Sequence, residues 1–225
     1  MSSAPLRLAV LASGRGSNLQ AIVDAIASGR LDAQVVGVFS DKRNANALQI
    51  ARDNDIPATF VDPKAFVSRE HYDVALFDAV DAVAPDLIVL AGFMRVISRD
   101  AVQARVGRML NIHPSLLPRH KGLHTHRHAL EDGDTEHGAS VHLVTADLDD
   151  GPVLAQARVC IDRDDTEQSL AERVLRVEHP LLIACLNEWQ KGHFSYQAPQ
   201  LLYRERMLEC PLEFQAEPDA PAPLL

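Results

Sequence analysis

The sequence predicts an α/β protein: a Rossmann-like, doubly wound and mostly parallel sheet with an antiparallel C-terminal strand pair. Two observations predict the architecture. Short apolar runs alternate with segments of helical spacing from Leu6 to Ala91, the pattern of parallel strands joined by crossover helices. Later, Gly138 to Val144 and Val153 to Ile161 are joined only by an acidic turn, and so read as an antiparallel pair.

Leu6 to Ala12 is a short apolar run and reads as a central parallel strand, ending in Ser13-Gly14-Arg15-Gly16-Ser17-Asn18. Leu19, Ile22, Val23 and Ile26 then recur at helical spacing, stopping near Gly29. Gln34 to Phe39 reads as the second strand, Ala45 to Asn54 as a helix and Ala58 to Val61 as the third strand. Ser68 to Val83 has helical spacing at Tyr72, Ala75, Leu76, Ala79 and Val83, and Asp86 to Ala91 is another buried strand leading into Gly92-Phe93-Met94-Arg95. The run from Val106 to Leu110 leads into Asn111-Ile112-His113-Pro114-Ser115-Leu116-Leu117-Pro118, where two prolines stop regular structure and press their predecessors towards extended geometry. In a doubly wound sheet the loops at 13–18, 92–97 and 111–123 would open onto one edge, at the carboxyl ends of the strands.

After Gly122 a loop enters a short helix. Thr166 to Gln190 is a long amphipathic helix with Leu170, Val174, Val177, Leu181 and Leu182 as its stripe, and Pro180 predicts a kink or break in it. From Gln197 the pattern is mixed, and about 210–225 reads as a loose tail, Pro- and Ala-rich from Glu217. The expectation is one domain over 1–225 with its core at about 6–190.

The bulk numbers narrow the function. A formal net charge of −9 and no lysine- or arginine-rich run leave phosphate-backbone binding without an electrostatic footprint, so no nucleic acid is expected. No apolar stretch approaches the roughly 20 residues of a membrane span. Cys160, Cys185 and Cys210 are odd in number, far apart and form no C-x-x-C, which fits a reducing compartment and argues against a disulfide framework and a cysteine-ligated zinc. Cytoplasmic location is the expectation.

Three patterns bear on chemistry. Asn111 and His113 lie two apart, so on an extended backbone their side chains share a face. One offers an amide donor and the other a ring that exchanges a proton near neutrality. Taken alone, an Asn-x-His is more often a capping Asn beside a structural His. The strand, glycine turn and helix start at 13–18 make an anion site from exposed N–H groups, with Ser17 and Asn18 adding donors; a mere capped turn is the alternative. A dinucleotide reading is weak, because Leu19 stands where a third glycine is needed and Asp41 comes late for a ribose contact. Seven of the ten histidines fall between His113 and His142. On an extended strand His124, His126 and His128 would converge as zinc ligands do, but the helical continuation through Ala129, Leu130 and Glu131 separates them, and no metal is expected.

These motifs, together with Gly122-Leu123-His124-Thr125-His126 and Leu148-Asp149-Asp150-Gly151-Pro152, occur in the order seen in the phosphoribosylglycinamide formyltransferases. The chain resembles that family, within the folate-dependent formyltransferase superfamily, over about residues 6 to 185. The resemblance implies transfer of the formyl group of 10-formyltetrahydrofolate to the amine of 5-phosphoribosylglycinamide, in purine biosynthesis, by direct attack through a tetrahedral intermediate. It implies Asn111 and His113 as the catalytic pair and Asp149, rather than Asp150, as the aspartate holding the histidine. Gly16, Ser17 and Asn18 match the phosphate loop, and Glu178 an acid near the glycinamide. Arg69, Met94, Arg95, Val96, Ile97 and again Asn111 match folate-contacting positions. In the family a Tyr-Pro pair often follows the Glu-His, whereas here Pro180 follows His179 directly. In this reading Asn111 donates to the developing oxyanion, and His113, its pKa raised by the carboxylate, stays charged beside it. The expected partners are small molecules, with no nucleic acid or membrane, and the protein is expected as a monomer or homodimer. A methionyl-tRNA formyltransferase would be expected to carry a further nucleic-acid-binding domain and a formyltetrahydrofolate hydrolase an N-terminal regulatory one; an acidic chain of 225 residues with the first strand at Leu6 is expected to have room for neither. A zinc hydrolase and a non-catalytic nucleotide-binding module are the readings from other classes.

Overall fold

The computed structural model describes residues 4–215. The chain forms two compact units, Met1–Asn111 and Ile112–Leu225.

The first unit contains β1 (Leu6–Leu11), α1 (Ser17–Ala27), β2 (Ala33–Ser40), α2 (Asn46–Asp53), β3 (Ala58–Phe60), a 3-10 turn (Pro63–Ala65), α3 (Arg69–Ala82), β4 (Leu87–Leu90) and α4 (Arg99–Gln103), and β5 (Met109–His113) starts there. β1 pairs in parallel with β2 and β4, β2 with β3, and β4 with β5. The chain therefore winds outward from β1 to β3, returns to the other side of β1 and winds outward again. That reversal makes a switch point between β1 and β4, where the loops leaving their carboxyl ends part to leave a crevice. Those loops are the glycine turns at 13–18 and 92–97.

The strands are apolar because both of their faces are covered: Leu8, Ala9, Val10 and Leu11 of β1 and Val89 of β4 have no exposed surface. α1 buries Leu19, Ile22 and Ala25, and α3 buries Tyr72, Leu76, Phe77 and Val80; of the spacing read from the sequence, Leu19, Ile22, Tyr72 and Leu76 are buried, while Val23, Ile26, Ala75, Ala79 and Val83 are half-buried at the edges of the stripes. Ser68 ends the preceding loop by accepting the His71 N–H at 3.3 Å, an N-cap that satisfies one of the free amides of the first turn.

The second unit contains α5 (Thr125–Glu131), β6 (Glu136–Leu143), β7 (Val153–Cys160), α6 (Glu167–Gln190), β8 (Phe194–Gln197), β9 (Gln200–Tyr203), β10 (Arg206–Met207) and β11 (Leu212–Phe214). β6 and β7 are the expected antiparallel pair. α6 packs on both of them. Thr166 and Ser169 cap it reciprocally, which places its start at the position the sequence marks.

Three features depart from the sequence reading. α6 is continuous through Pro180, so the break allowed for there does not occur. Pro in a helix interior costs about 3 kcal/mol, but Val174, Leu181, Leu182, Cys185 and Leu186 around it are wholly buried, and each such side chain stabilises by about 1.5–3 kcal/mol. The mixed region after α6 forms a separate antiparallel sheet, β8 with β9 and β9 with β10. The tail expected to be loose from about 210 contains β11, parallel to β7, with Leu212 and Phe214 buried and Glu213 paired to Arg158 at 3.1 Å. Three residues are too few to show a period in the sequence, and the remainder of that tail, 216–225, lies outside the described residues.

A buried carboxylate ties this small sheet to α6. Glu188 accepts from Lys191 Nζ at 2.8 Å, His193 Nδ1 at 2.8 Å and the Tyr203 hydroxyl at 2.7 Å. Burial works to raise its pKa, but these donors outweigh burial and hold it at about 2. Because the folded value is depressed, the stabilisation is complete above the ordinary value of 4.5 and is lost as pH falls towards about 2. Glu188→Gln is expected to cost roughly 1–3 kcal/mol at neutral pH and to flatten the acid limb of stability in that window, as read by urea denaturation at a series of pH values.

Candidate active site

β5 is five residues long, and its second half crosses from apolar to chemical: Leu110 is buried, Asn111 half-buried and His113 5% exposed. Alternation along the strand puts Asn111 and His113 on one face. Pro114 ends the strand, and the turn beyond is braced from beneath by buried polar groups of β6 and β7. Ser140 Oγ donates to the Ser115 carbonyl at 2.7 Å and accepts the Leu117 N–H at 3.1 Å. Gln156 Nε2 donates to the Leu117 carbonyl at 2.8 Å, and Thr125 Oγ1 to that of Pro114 at 2.7 Å. Buried groups with matched partners fix this loop rather than merely fill it.

His113 is held between two acceptors. Its Nε2 lies 2.9 Å from the His120 carbonyl; a carbonyl only accepts, so this nitrogen carries a proton. Its Nδ1 lies 3.5 Å from Asp149 Oδ2. Asp149 sits in the acidic turn with φ 48°, and folding back brings its Oδ2 to the Gly122 N–H at 2.9 Å. Its Oδ1 lies 3.6 Å from Nε2 of His142, whose Nδ1 donates to the Leu143 carbonyl at 2.9 Å. The carboxylate thus lies between two imidazoles set edge to face, with ring centroids 6.5 Å apart. Asp150, its sequence neighbour, faces outward and pairs with Lys121.

Burial lowers the pKa of His113; the His120 carbonyl and the Asp149 charge pull the other way without overcoming it, and His142 adds to the lowering. The expectation of a charged resting histidine is therefore corrected: desolvation outweighs the carboxylate, and the ring is neutral at pH 7 with Nδ1 free to take a proton. Asp149 stays ionised. Burial would raise its carboxyl, but the His142 hydrogen bond, the His113 ring and the Gly122 N–H hold it below the usual range. A proton arriving on His113 Nδ1 turns a 3.5 Å approach into an ion pair.

In the first unit the two glycine loops are joined. Ser13 N–H donates to the Gly92 carbonyl at 3.0 Å, and Met94 N–H to Ser13 Oγ at 2.9 Å. Gly16 is the N-cap of α1 with φ 75°, and Ser17 and Asn18 open the helix, whose first turn holds no acid. This leaves backbone N–H groups and the positive end of the helix dipole for an anion. The loop is pinned to the start of α2 by Asn46 Nδ2 on the Arg15 carbonyl at 2.9 Å. Of the residues matched to folate contacts, Met94 and Val96 are exposed and Ile97 is buried. Arg95 lies over Tyr72, and Arg69 pairs with its helix neighbour Glu70 at 3.5 Å. In the second unit Glu178 is buried on α6.

His142 was not singled out from the sequence, nor were the His120 carbonyl and Gly122 amide. A signal for His142 existed: it shares a face of an alternating strand with Ser140, and two polar side chains on a covered strand face need partners. The other histidines disperse. His126 and His128 lie on α5, His126 Nδ1 meets His137 Nε2 at 3.1 Å, and His120 Nε2 meets Asp134 at 2.7 Å. Among the described residues no group of three or more His, Cys, Asp or Glu is placed to hold a metal ion.

A neutral buried imidazole beside an ionised carboxylate, at the end of a strand of an α/β fold, can take up and release a proton. Comparison with known proteins narrows the class. Residues 6–186 match the family described as Formyl transferase. Over 182 residues the chain is 50% identical to the phosphoribosylglycinamide formyltransferase of Escherichia coli (strain K12), covering 80% of this chain and 86% of that protein. It is also 42% identical, over 180 residues, to the human trifunctional purine biosynthetic protein adenosine-3, covering 80% of this chain and 18% of that protein. The solved phosphoribosylglycinamide formyltransferase of Coxiella burnetii superposes with a TM-score of 0.88 at 43% identity, over 91% of this chain and 96% of that one. The chain belongs to the formyl transferase family.

Two outcomes follow from this geometry. Asp149 raises the His113 pKa, so Asp149→Asn is expected to lower it further, as read from the His113 ring resonances in an NMR pH titration. Gly16→Ala would strain the left-handed backbone by about 1–2 kcal/mol and set a Cβ 2.8 Å from Ala47 Cα. Thermal melting should show the loss of stability, and a phosphate-bearing ligand should bind more weakly.

Proposed function

We propose that this chain is a phosphoribosylglycinamide formyltransferase, moving the formyl group of 10-formyltetrahydrofolate to the amine of 5-phosphoribosylglycinamide. The observation that carries the reading is His113, neutral and buried beside the ionised Asp149, two residues along β5 from Asn111. The names of the relatives support a formyl group as what is moved and phosphoribosylglycinamide as its acceptor.

The amine attacks the formyl carbon, and a tetrahedral centre forms with its charge on the former carbonyl oxygen. Asn111 donates a hydrogen bond to that oxygen. His113 takes the proton released by the amine and returns it to folate N10 as the N10–carbon bond breaks, and Asp149 stabilises the imidazolium in between. Gly16, Ser17 and Asn18 hold the ribonucleotide phosphate, and Glu178 lies with the glycinamide. Arg69, Met94, Arg95, Val96, Ile97 and Asn111 take the folate. No metal enters this scheme. The chain acts as one formyltransferase domain, cytoplasmic, as a monomer or homodimer. Among the described residues no helix is long and apolar enough to cross a membrane.

The deciding assay follows folate absorbance with and without glycinamide ribonucleotide. Loss of formylfolate that depends on the amine supports the transferase, and loss without it would identify a hydrolase. Asn111→Ala is expected to lower kcat by roughly 10²–10³ and His113→Ala by roughly 10²–10⁴; near-normal turnover in folded variants would refute these roles. Since the base must be neutral and burial lowers its pKa, kcat should hold below pH 6.5 and fall only as the ring protonates. In Asp149→Asn that acid limb should move to still lower pH.

A further inference from the structure

The loop from Gly92 to Ser98 is fixed from one side by two consecutive residues of α3. Asp73 accepts the Ser98 N–H at 2.6 Å. Tyr72, 1% exposed, lies under Arg95, whose Cζ stands 4.8 Å from the ring centroid. Phe66 packs against the Tyr72 ring edge to face, with centroids 5.9 Å apart. Burial, and after it the Asp41 charge, raise the pKa of the phenol, which keeps the ring neutral at any physiological pH.

Arg95 differs from the other arginine stacked beneath the surface in this unit. Arg105 lies over Phe77 at 4.3 Å, but its donors are committed to Asp81 and to the Ala101 carbonyl at 2.9 Å. Among the described residues Arg95 has the ring and no carboxylate partner, and its buried Nε is without a hydrogen-bond partner. A guanidinium left with open donors is matched by a planar carboxylate, which it binds in a fork. Met94 and Val96 on either side are 66% and 51% exposed, so a ligand here meets apolar surface beside a fixed cation. An amphipathic acid fits both.

We infer that Tyr72 is a positioning residue, holding the Arg95 guanidinium in place for the carboxylate end of the folate. This rests on the formylfolate reading above and extends it by one residue behind the contact. The ring restrains Arg95 before the ligand arrives, so Tyr72 acts on affinity and not on the transfer step.

The test is a set of variants assayed for both substrates. Tyr72→Leu should raise KM for formylfolate roughly fivefold, with kcat and the ribonucleotide KM unchanged. Tyr72→Phe keeps the ring and should restore the wild-type KM. In an Arg95→Gln background Tyr72→Leu should add nothing, and a formylfolate truncated before its glutamate should show no dependence on residue 72. If Tyr72→Leu does not fold by thermal melting, Tyr72→Met, also without an aromatic face, takes its place with the same expectation. An unchanged folate KM in a folded variant, an equal rise in the Arg95→Gln background, or an equal rise with the truncated folate would overturn the inference. Should the wild-type protein transfer no formyl group, the functional reading fails by itself. Equilibrium titration of wild type and Tyr72→Leu with an unreactive reduced folate then decides the role of Tyr72 separately.

Discussion

Asp149 lies with one oxygen towards His113, 3.5 Å away, and the other towards His142, 3.6 Å away, inside a turn that burial would otherwise forbid to carry charge. An ionised carboxylate withdrawn from water is tolerated only where donors surround it. Here three segments meet the charge: the Gly122 amide, from the loop after β5, donates to it at 2.9 Å, and the rings of His142 from β6 and His113 from the end of β5 flank it. Satisfying one charge therefore fixes three pieces of backbone. Much else in the second unit serves that constraint. Ser140 and Gln156 brace the loop that follows His113. Gly138 has no side chain because a Cβ there would meet the Ala157 carbonyl at 1.9 Å, closing the β6–β7 pair needed for the brace.

The balance of forces on His113 decides its role. Removal from water disfavours the charged ring, and the carboxylate favours it; in the resting protein desolvation wins. A neutral ring can receive a proton, and the carboxylate then repays the desolvation at the moment charge forms. The same two groups with less burial would favour the charged ring, which can polarise an oxygen but cannot accept from an amine. Burial of a few side chains thus separates two chemistries that share one sequence motif.

The first unit solves a different problem, that of holding two loops open and side by side. The strand order puts β1 and β4 next to each other at the point where winding reverses, and Ser13 then ties the two loops together with its amide and its hydroxyl. α3 anchors the far end of the second loop through Asp73. Each anchor is a hydrogen bond to a backbone group, which sets where the loop runs and leaves Met94 and Val96 facing outward.

By itself the sequence determined the alternation of strands and helices, the extent of α6, the antiparallel pair and the motifs on which the family resemblance rests. These are local: period and glycine placement act over a few residues. Motif order also singled out Asn111, His113 and Asp149, as candidates whose roles remain proposals. Only the tertiary structure decided that Asp149 folds back to within 3.5 Å of His113, that His142 lies on its other side, and that His113 rests neutral. It also decided that Pro180 leaves α6 unbroken and that Leu212–Phe214 forms a strand. Each of these depends on what residues distant in the chain bury or donate, and a charge's pKa or a proline's cost is set by that surrounding and not by the residue that carries it.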